Sequence, residues 1–426
     1  MFDKNKYKPR IIDEKIDDYL SVAGALCIEG PKWCGKTWSS EYHSKSRIMI
    51  GDPENNFQNR RLAEISPSAV LEGESPRLID EWQEVPPIWD AVRFEVDKRS
   101  EKGQFILTGS ATPNHKGILH SGAGRIVRLR MRPMSLYESG DSNGKVSLRD
   151  IMEGKGESRL TGDISLRDLF NLMVRGGWPE NIGIDEKKYS LLPSEYIRAI
   201  IEDDVFKIDG IKRDTQKMML LLKSLARNES TSATNKTLKK DISEKDDESI
   251  NIDTVAEYLD IFKRLYLTDN VSPFSTRIRS SVRVKQAEKR YFSDPSLACA
   301  LLGATAEKLI NDLETAGLLF ESMCVRDLRI YAEANDAKIY HYHDYNEKEI
   351  DAVIEDTDGN WHAFEIKLGA NKIDEGAANL ISIAEAVKKE KSGIPPKSMC
   401  VICGMTNAAY MRPDGVYVVP ITALKP

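Results

Sequence analysis

The chain has 426 residues, 41% of them hydrophobic and 30% charged; that balance supplies ample core for a globular protein and, at this length, about three domains. Its formal net charge of −6, from 61 basic and 67 acidic residues, argues against a general nucleic-acid coat, although a local basic face escapes such a sum. No stretch approaches the roughly 18 uninterrupted apolar residues of a bilayer span, Met1–Lys6 lack the apolar core of a signal peptide, and the six cysteines fit a reducing compartment. The expected location is therefore cytoplasmic, with no membrane partner.

In chain order, Ala25-Leu26-Cys27-Ile28 reads as a short buried strand. Directly after it, Gly30-Pro31-Lys32-Trp33-Cys34-Gly35-Lys36-Thr37 fits G-x-x-x-x-G-K-[ST], and Thr37-Trp38-Ser39-Ser40 starts a helix. Glycines in such a loop let backbone N–H groups surround phosphate oxygens, and the helix N-terminus adds a favourable dipole. Gly30 to Trp38 are thus expected to hold ATP with magnesium, Lys36 reaching the β- and γ-phosphates and the Thr37 hydroxyl ligating the metal. Cys34 lies inside the loop beside Lys36 and a helix N-terminus, both of which favour a thiolate. It is expected to react with thiol reagents faster than Cys400 and Cys403, the alternative being a side chain turned into the core.

Arg47-Ile48-Met49-Ile50 is a second strand closed by turn chemistry at Gly51-Asp52-Pro53. Arg77-Leu78-Ile79 is a third strand and ends in two adjacent carboxylates. Asp80 is expected to hold magnesium, and Glu81 to orient or deprotonate the attacking water. Gln104-Phe105-Ile106-Leu107 ends in Thr108-Gly109-Ser110, where either Thr108 or Ser110 is placed to sense the γ-phosphate. Arg125 follows two glycines and opens the apolar-basic alternation Ile126 to Arg130. It reads either as a cation that stabilises transition-state charge, in cis or from a neighbour, or as part of a basic surface strand. Strands alternating with helices over residues 1–140 predict a parallel α/β sheet.

Gly140 to Asp163 is rich in glycine and charge and reads as an exposed linker. Helices resume at Ser165, and Arg175-Gly176-Gly177-Trp178-Pro179 breaks them with a tight turn. From Lys217 to Phe274 the pattern suggests a winged helix, with amphipathic helices at Met218–Arg227 and Asp253–Leu265. The polar run Asn228 to Ser249 between them reads as a solvated loop. The second helix carries Asp253, Glu257 and Asp260, which disfavour phosphate. Cations gather instead in the following segment, Arg277, Arg279, Arg283, Lys285, Lys289 and Arg290, a candidate nucleic-acid contact.

Near the C-terminus, Phe320-Glu321 opens a helix. Ile350 to Ile354 and Trp361 to Lys367 read as strands joined by the turn Asp356-Thr357-Asp358-Gly359-Asn360. Asp351, Glu365 and Lys367 then fall in the order of a PD-(D/E)xK nuclease site, with Glu365 and Lys367 on one face of their strand. Two carboxylates there suit a divalent metal, Lys367 suits developing charge, and Glu321 is placed to complete the shell. Glu349-Ile350 stands where that pattern has proline, which makes Glu349 a further candidate ligand. Cys400-Val401-Ile402-Cys403 has C-x-x-C spacing without a second pair and reads as a core strand.

Taken in order, these pieces, with Tyr291-Phe292-Ser293-Asp294 and Phe364-Glu365-Ile366-Lys367, resemble a prokaryotic family of AAA-type P-loop ATPases that end in a domain of unknown function. The resemblance covers nearly the whole chain. It implies an α/β fold class with a P-loop (AAA/RecA-like) sheet carrying helices on both faces over 1–140, a helical and winged-helix domain over 164–290, and a PD-(D/E)xK nuclease-like α/β domain over 291–426. The expected activity is ATP hydrolysis driving a conformational change in the C-terminal module. An ATP-gated metal-dependent DNA nuclease and a nucleotide-dependent switch without turnover are the rivals. A DNA or protein partner would engage the winged-helix and C-terminal domains; the oligomeric state stays open.

Overall fold

The computed structural model describes residues 3–111, 118–243, 250–277, 279–344, 348–389 and 393–426. The chain divides into two compact units. Unit 1 is Met1–Pro133 with Ile200–Arg213 and Asp260–Leu267; unit 2 is Met134–Ala199, Asp214–Leu259 and Thr268–Pro426. Positions 164 and 291 both fall inside unit 2.

Unit 1 is built on five parallel strands: β1 (Ala25–Glu29), β2 (Ser46–Met49), β3 (Arg77–Asp80), β4 (Phe105–Gly109) and β5 (Ile126–Arg130), in the order β2-β3-β4-β1-β5. Parallel strands covered on both faces read as continuous apolar runs, and β1 shows why. Ala25 and Cys27 join the cluster formed with Ile79, Trp82, Trp89, Val92 and Phe105. Leu26 and Ile28 point the other way and are equally buried. Because β4 lies between β1 and β3, the loop after β1 and the carboxylates after β3 flank the end of β4. The carboxyl ends of such strands are where ligands bind in open parallel sheets.

The same register corrects one expectation. Ile126 pairs with Ala25 at the start of β1, so Arg125 stands at the edge of the sheet opposite the loop that follows Glu29. Its Nε lies 2.8 Å from Asp97 Oδ1 on the helix Pro87–Arg99. A role in cis at the phosphate loop does not fit this position; a basic surface strand does.

Unit 2 centres on a seven-stranded mixed sheet. Two short strands come first, β6 (Val146–Ser147) and β7 (Arg159–Leu160), then β8 (Lys338–His343), β9 (Glu349–Glu355), β10 (Trp361–Lys367), β11 (Ser398–Cys403), β12 (Ala408–Met411), β13 (Tyr417–Pro420) and β14 (Leu424–Lys425). The sheet order is β7-β12-β13-β11-β10-β9-β8, and β6 pairs separately with β14. β8, β9 and β10 form an antiparallel meander and β11 runs parallel to β10. That parallel step needs a crossover, which the helix Ile373–Lys389 supplies; its Ala377, Leu380 and Ile383 pack with Val353, Ala363 and Val401. The helix Leu313–Ala334 precedes the meander; it begins at Leu313, capped by Asp312, rather than at Phe320.

Two stretches read as loops are structured. Gly140 to Asp163 contributes β6, the helix Leu148–Met152 and β7 to unit 2; strand pairing across the sequence gives it order that glycine content alone hides. Asn235–Ser243 is a helix within the polar run, while the acidic residues 244–249 lie outside the described residues. Cys400 and Cys403 are fully buried on β11, as a core strand requires. The double glycine after Arg175 is a packing requirement. A Cβ on Gly177 would stand 2.0 Å from the Met134 carbonyl oxygen. The Gly177 amide donates to Asp294 Oδ2 at 2.9 Å and Trp178 Nε1 donates to Ser296 Oγ at 2.8 Å. Arg175 is buried and paired with Asp141. Among the described residues no helix is long and apolar enough to cross a membrane.

Candidate functional site

The loop between β1 and the helix Lys36–Tyr42 owes its shape to backbone that few residues tolerate. Gly30 has φ 152° and Gly35 φ 103°, both in the region that favours glycine. A side chain on Gly30 would place its Cβ 2.1 Å from the Met131 carbonyl oxygen. Arg10 staples the assembly from outside, donating from Nη1 to the Cys34 carbonyl at 2.7 Å and from Nη2 to the Arg132 carbonyl at 2.9 Å. Lys36 is buried and donates to the carbonyls of Gly30 at 2.9 Å and Pro31 at 2.7 Å. Its ammonium is thereby held over the loop, where phosphate oxygens would replace those carbonyls. Trp33 and Trp38 are about half exposed on the same rim.

Opposite the loop, Thr37 Oγ1 donates to Asp80 Oδ1 at 3.0 Å. A hydroxyl on a carboxylate at this separation is the oxygen pair that a hard cation such as magnesium takes. Thr108 at the end of β4 also donates to Asp80 Oδ1 and accepts from the Glu81 amide at 3.2 Å. Burial raises the Asp80 carboxyl above the usual carboxylate range, the Glu81 charge adds to this, and the Thr108 and Thr37 hydroxyls oppose it. Glu81 has φ 57° and ψ 45°, a left-handed backbone that is strained for glutamate and is characteristic of functional positions. Ser110 Oγ donates to Glu81 Oε2 at 3.2 Å, and the Gln83 amide donates to the same oxygen. The sequence left Thr108 and Ser110 undivided. Geometry separates them, Thr108 holding Asp80 and Ser110 holding Glu81, and adds Gln83, which no motif marks.

Residues 23–140 match the family described as an AAA domain. This match falls almost wholly within unit 1. Residues 166–308 and 316–424 match two domains of unknown function, DUF8612 and DUF4143. The AAA match supports ATP binding. The chain is 23% identical over 352 residues to uncharacterized proteins of Mycobacterium bovis and Mycobacterium tuberculosis, covering 82% of this chain and 71% of theirs. Among solved structures it is similar to a Walker-type ATPase of Pyrococcus abyssi, at 12% identity and TM-score 0.41 over 71% of this chain and 96% of that one. It is also similar to the replication initiator DnaA bound to AMPPCP and single-stranded DNA, at 13% identity and TM-score 0.25 over 62% of this chain and 91% of that one.

The AAA domain corrects the reading of Cys34. Its side chain is fully buried, with Sγ 3.8 Å from the Met131 carbonyl oxygen, so the loop covers the thiol rather than presenting it. A maleimide is expected to label Cys34 no faster than the equally buried Cys400 and Cys403. Peptide mapping after brief labelling, native and in urea, checks this; Cys34 labelling first in the native protein would restore the exposed-thiolate view.

In the DUF4143 region the four residues of the nuclease-like pattern do converge. Lys367 Nζ lies 2.6 Å from Glu365 Oε2 and 3.8 Å from Asp351 Oδ2. Asp351 Oδ2 accepts from the Ile366 amide at 2.8 Å, and Asn379 donates to Glu365 at 2.9 Å. Glu321 meets Lys289 Nζ at 2.7 Å and the Tyr291 hydroxyl at 2.6 Å. Glu349 turns instead toward His343, 3.5 Å away. Burial pushes Glu321 up to about 7 against the pull of Lys289. Burial and the Asp351 charge raise Glu365. For Lys289, burial acts against the ammonium, but Glu321 and Asp351 outweigh it and hold it above the usual lysine range. Among the described residues no group of three or more His, Cys, Asp or Glu is placed to hold a metal ion. Asp351 faces both Glu321 and Glu365, and each of the three carboxylates also has the ammonium of Lys289 or Lys367 beside it.

The basic segment before it is also less available than its composition suggests. Lys289 is buried on Glu321; Arg283 makes a two-pronged pair with Glu355 at 2.9 and 3.2 Å; Arg290 donates to the Ala233 carbonyl at 2.9 Å. Arg277, Arg279 and Lys285 remain exposed.

Proposed function

We propose that the AAA domain hydrolyses ATP and that the change in nucleotide state drives a conformational change in the rest of the chain. The observation that carries this reading is the convergence, at the end of β4, of a glycine-shaped loop holding Lys36 with the Thr37–Asp80 pair and a backbone-strained Glu81. Thr37 and Asp80 would hold magnesium, which when bound neutralises phosphate charge. Lys36 leaves the Gly30 and Pro31 carbonyls for phosphate oxygens. Glu81, fixed by Ser110 and Gln83, orients the attacking water and takes its proton. Phosphate release from ATP and magnesium, lost in Lys36→Ala and Glu81→Gln, tests the reading.

The conformational part rests on Lys32. Its ammonium lies 2.7 Å from Asp204, which is almost buried. Asp204 ends a π-helical turn, Ile200–Asp204, an irregularity that often marks functional positions. The stretch Ile200–Arg213 belongs to unit 1 while the chain on either side of it belongs to unit 2. On this reading, ordering the phosphate loop orders one of the segments that the chain contributes to unit 1 between stretches of unit 2. ATP is expected to slow amide exchange in residues 200–213 of the native protein several-fold, and much less in Asp204→Asn. Equal protection in both would sink this link.

For the fold of unit 2 we infer a nuclease-like core, supported by the sequence helix, three-stranded meander, helix, parallel strand. For the middle region we infer a winged helix, supported by the helices Thr215–Arg227, Asn235–Ser243 and Ile252–Arg264 and by the antiparallel bridges Thr231–Arg290, Thr268–Phe292 and Val271–Lys289. With Arg283, Lys289 and Arg290 engaged internally, a nucleic-acid contact on the wing would fall to the exposed Arg277, Arg279 and Lys285.

A further inference from the structure

Lys289 reaches the carboxylate cluster from a backbone that is pinned on both sides. Its amide donates to the Val271 carbonyl at 2.9 Å, and the Val271 amide donates back to the Lys289 carbonyl at 2.9 Å. Two residues on, Tyr291 leaves the same extended segment on the same side and also meets Glu321. The ammonium is therefore delivered to a set position: 2.7 Å from Glu321 Oε1 and 3.6 Å from Asp351 Oδ1, in a side chain only 5% exposed. Lys367 closes the other flank against Asp351 and Glu365. The formal charges of Glu321, Asp351 and Glu365 thus face those of Lys289 and Lys367, and each carboxylate has an ammonium within 4 Å. A divalent ion bridging Glu321 and Asp351 would have to occupy the volume that the Lys289 nitrogen fills. Such an ion would have to break a buried ion pair, a strongly unfavourable step, or sit beside the ammonium against like-charge repulsion.

We propose that Lys289 is the resident cation of this cluster, taking the place of a divalent metal, so that the DUF4143 region is a metal-independent module that does not cleave nucleic acid. This holds whether or not the AAA domain turns over ATP.

The experiment is a Mn2+ titration of the full chain followed by electron paramagnetic resonance, comparing wild type with Asp351→Asn. Identical Mn2+ stoichiometry is expected, because Asp351 holds no metal; loss of a bound Mn2+ in Asp351→Asn overturns the proposal. In the same titration Lys289→Met, which keeps the side-chain length without the charge, is expected to gain a Mn2+ that Lys289→Met/Asp351→Asn lacks, and absence of that gain overturns the claim that Lys289 fills the metal's place. Should the methionine variant not fold, wild type still decides. It is incubated with single- and double-stranded DNA, Mn2+ and ATP. No cleavage above a protein-free control is expected, and cleavage abolished by Lys367→Ala sinks the idea.

Discussion

Lys36→Ala is expected to lower ATP turnover by at least about 100-fold and to weaken nucleotide binding in parallel. In the AAA domain the Lys36 ammonium makes two hydrogen bonds, to the Gly30 and Pro31 carbonyls, and phosphate oxygens are the stronger acceptors it is positioned to exchange them for. Hydrogen bonds to charged groups contribute about 1.5–3 kcal/mol each, and two of them amount to roughly a hundredfold or more at about 1.4 kcal/mol per decade. Folding should survive. Lys36 opens the helix Lys36–Tyr42, where alanine is the best helix former, and the Gly30 backbone remains fixed against Met131. Thermal unfolding within a few degrees of wild type, together with lost phosphate release, is the expected pair of results. Near-normal hydrolysis by the variant would remove the proposed function, and unfolding would mean that the lysine mainly closes the loop.

How much of this was legible beforehand divides by distance along the chain. β1, β3 and β4 announce themselves as Ala25-Leu26-Cys27-Ile28, Leu78-Ile79 and Phe105-Ile106-Leu107 because strands buried on both faces need no polar alternation. The loop is legible because its chemistry depends on adjacent residues. Arg125 misled for the opposite reason. A cation after two glycines looks poised, and only the pairing of Ile126 with Ala25 reveals the wrong end of the sheet. Cys34 misled because its neighbours set a thiol's reactivity only when solvent reaches it, and Met131, far along the chain, covers it.

The partners of charged residues were the least legible. Lys289 counted as one cation in a basic run until the bridge to Val271 aimed it at Glu321. A signal existed: Lys289 and Tyr291 are two apart in a segment extended enough to place both on one side, and both suit a buried carboxylate. Asp204 gave no signal, since its partner Lys32 is remote in sequence. Strand spacing grouped Asp351, Glu365 and Lys367, yet it could not show that a second lysine, Lys289, would stand beside Asp351 and Glu321.

Glu81→Gln is expected to bind ATP with near-normal affinity and to turn it over about 100- to 10,000-fold more slowly, the usual range for a lost general base. The substitution is nearly isosteric. Glutamine at 81 keeps one oxygen to accept from Ser110 and Gln83, which now hold Glu81 Oε2, so the side chain should stay in place. The left-handed backbone at this residue is no harder for glutamine than for glutamate. Asp80 keeps its bonds to Thr37 and Thr108, so the pair that would hold magnesium is untouched; what disappears is the carboxylate proposed to take a proton from water. Equilibrium binding of a fluorescent ATP analogue and single-turnover hydrolysis separate the two effects. A variant that fails to bind would show that Glu81, not Asp80, carries the metal. A variant that hydrolyses normally would leave proton removal to the γ-phosphate itself and reduce Glu81 to a backbone hinge between β3 and the turn Trp82–Glu84.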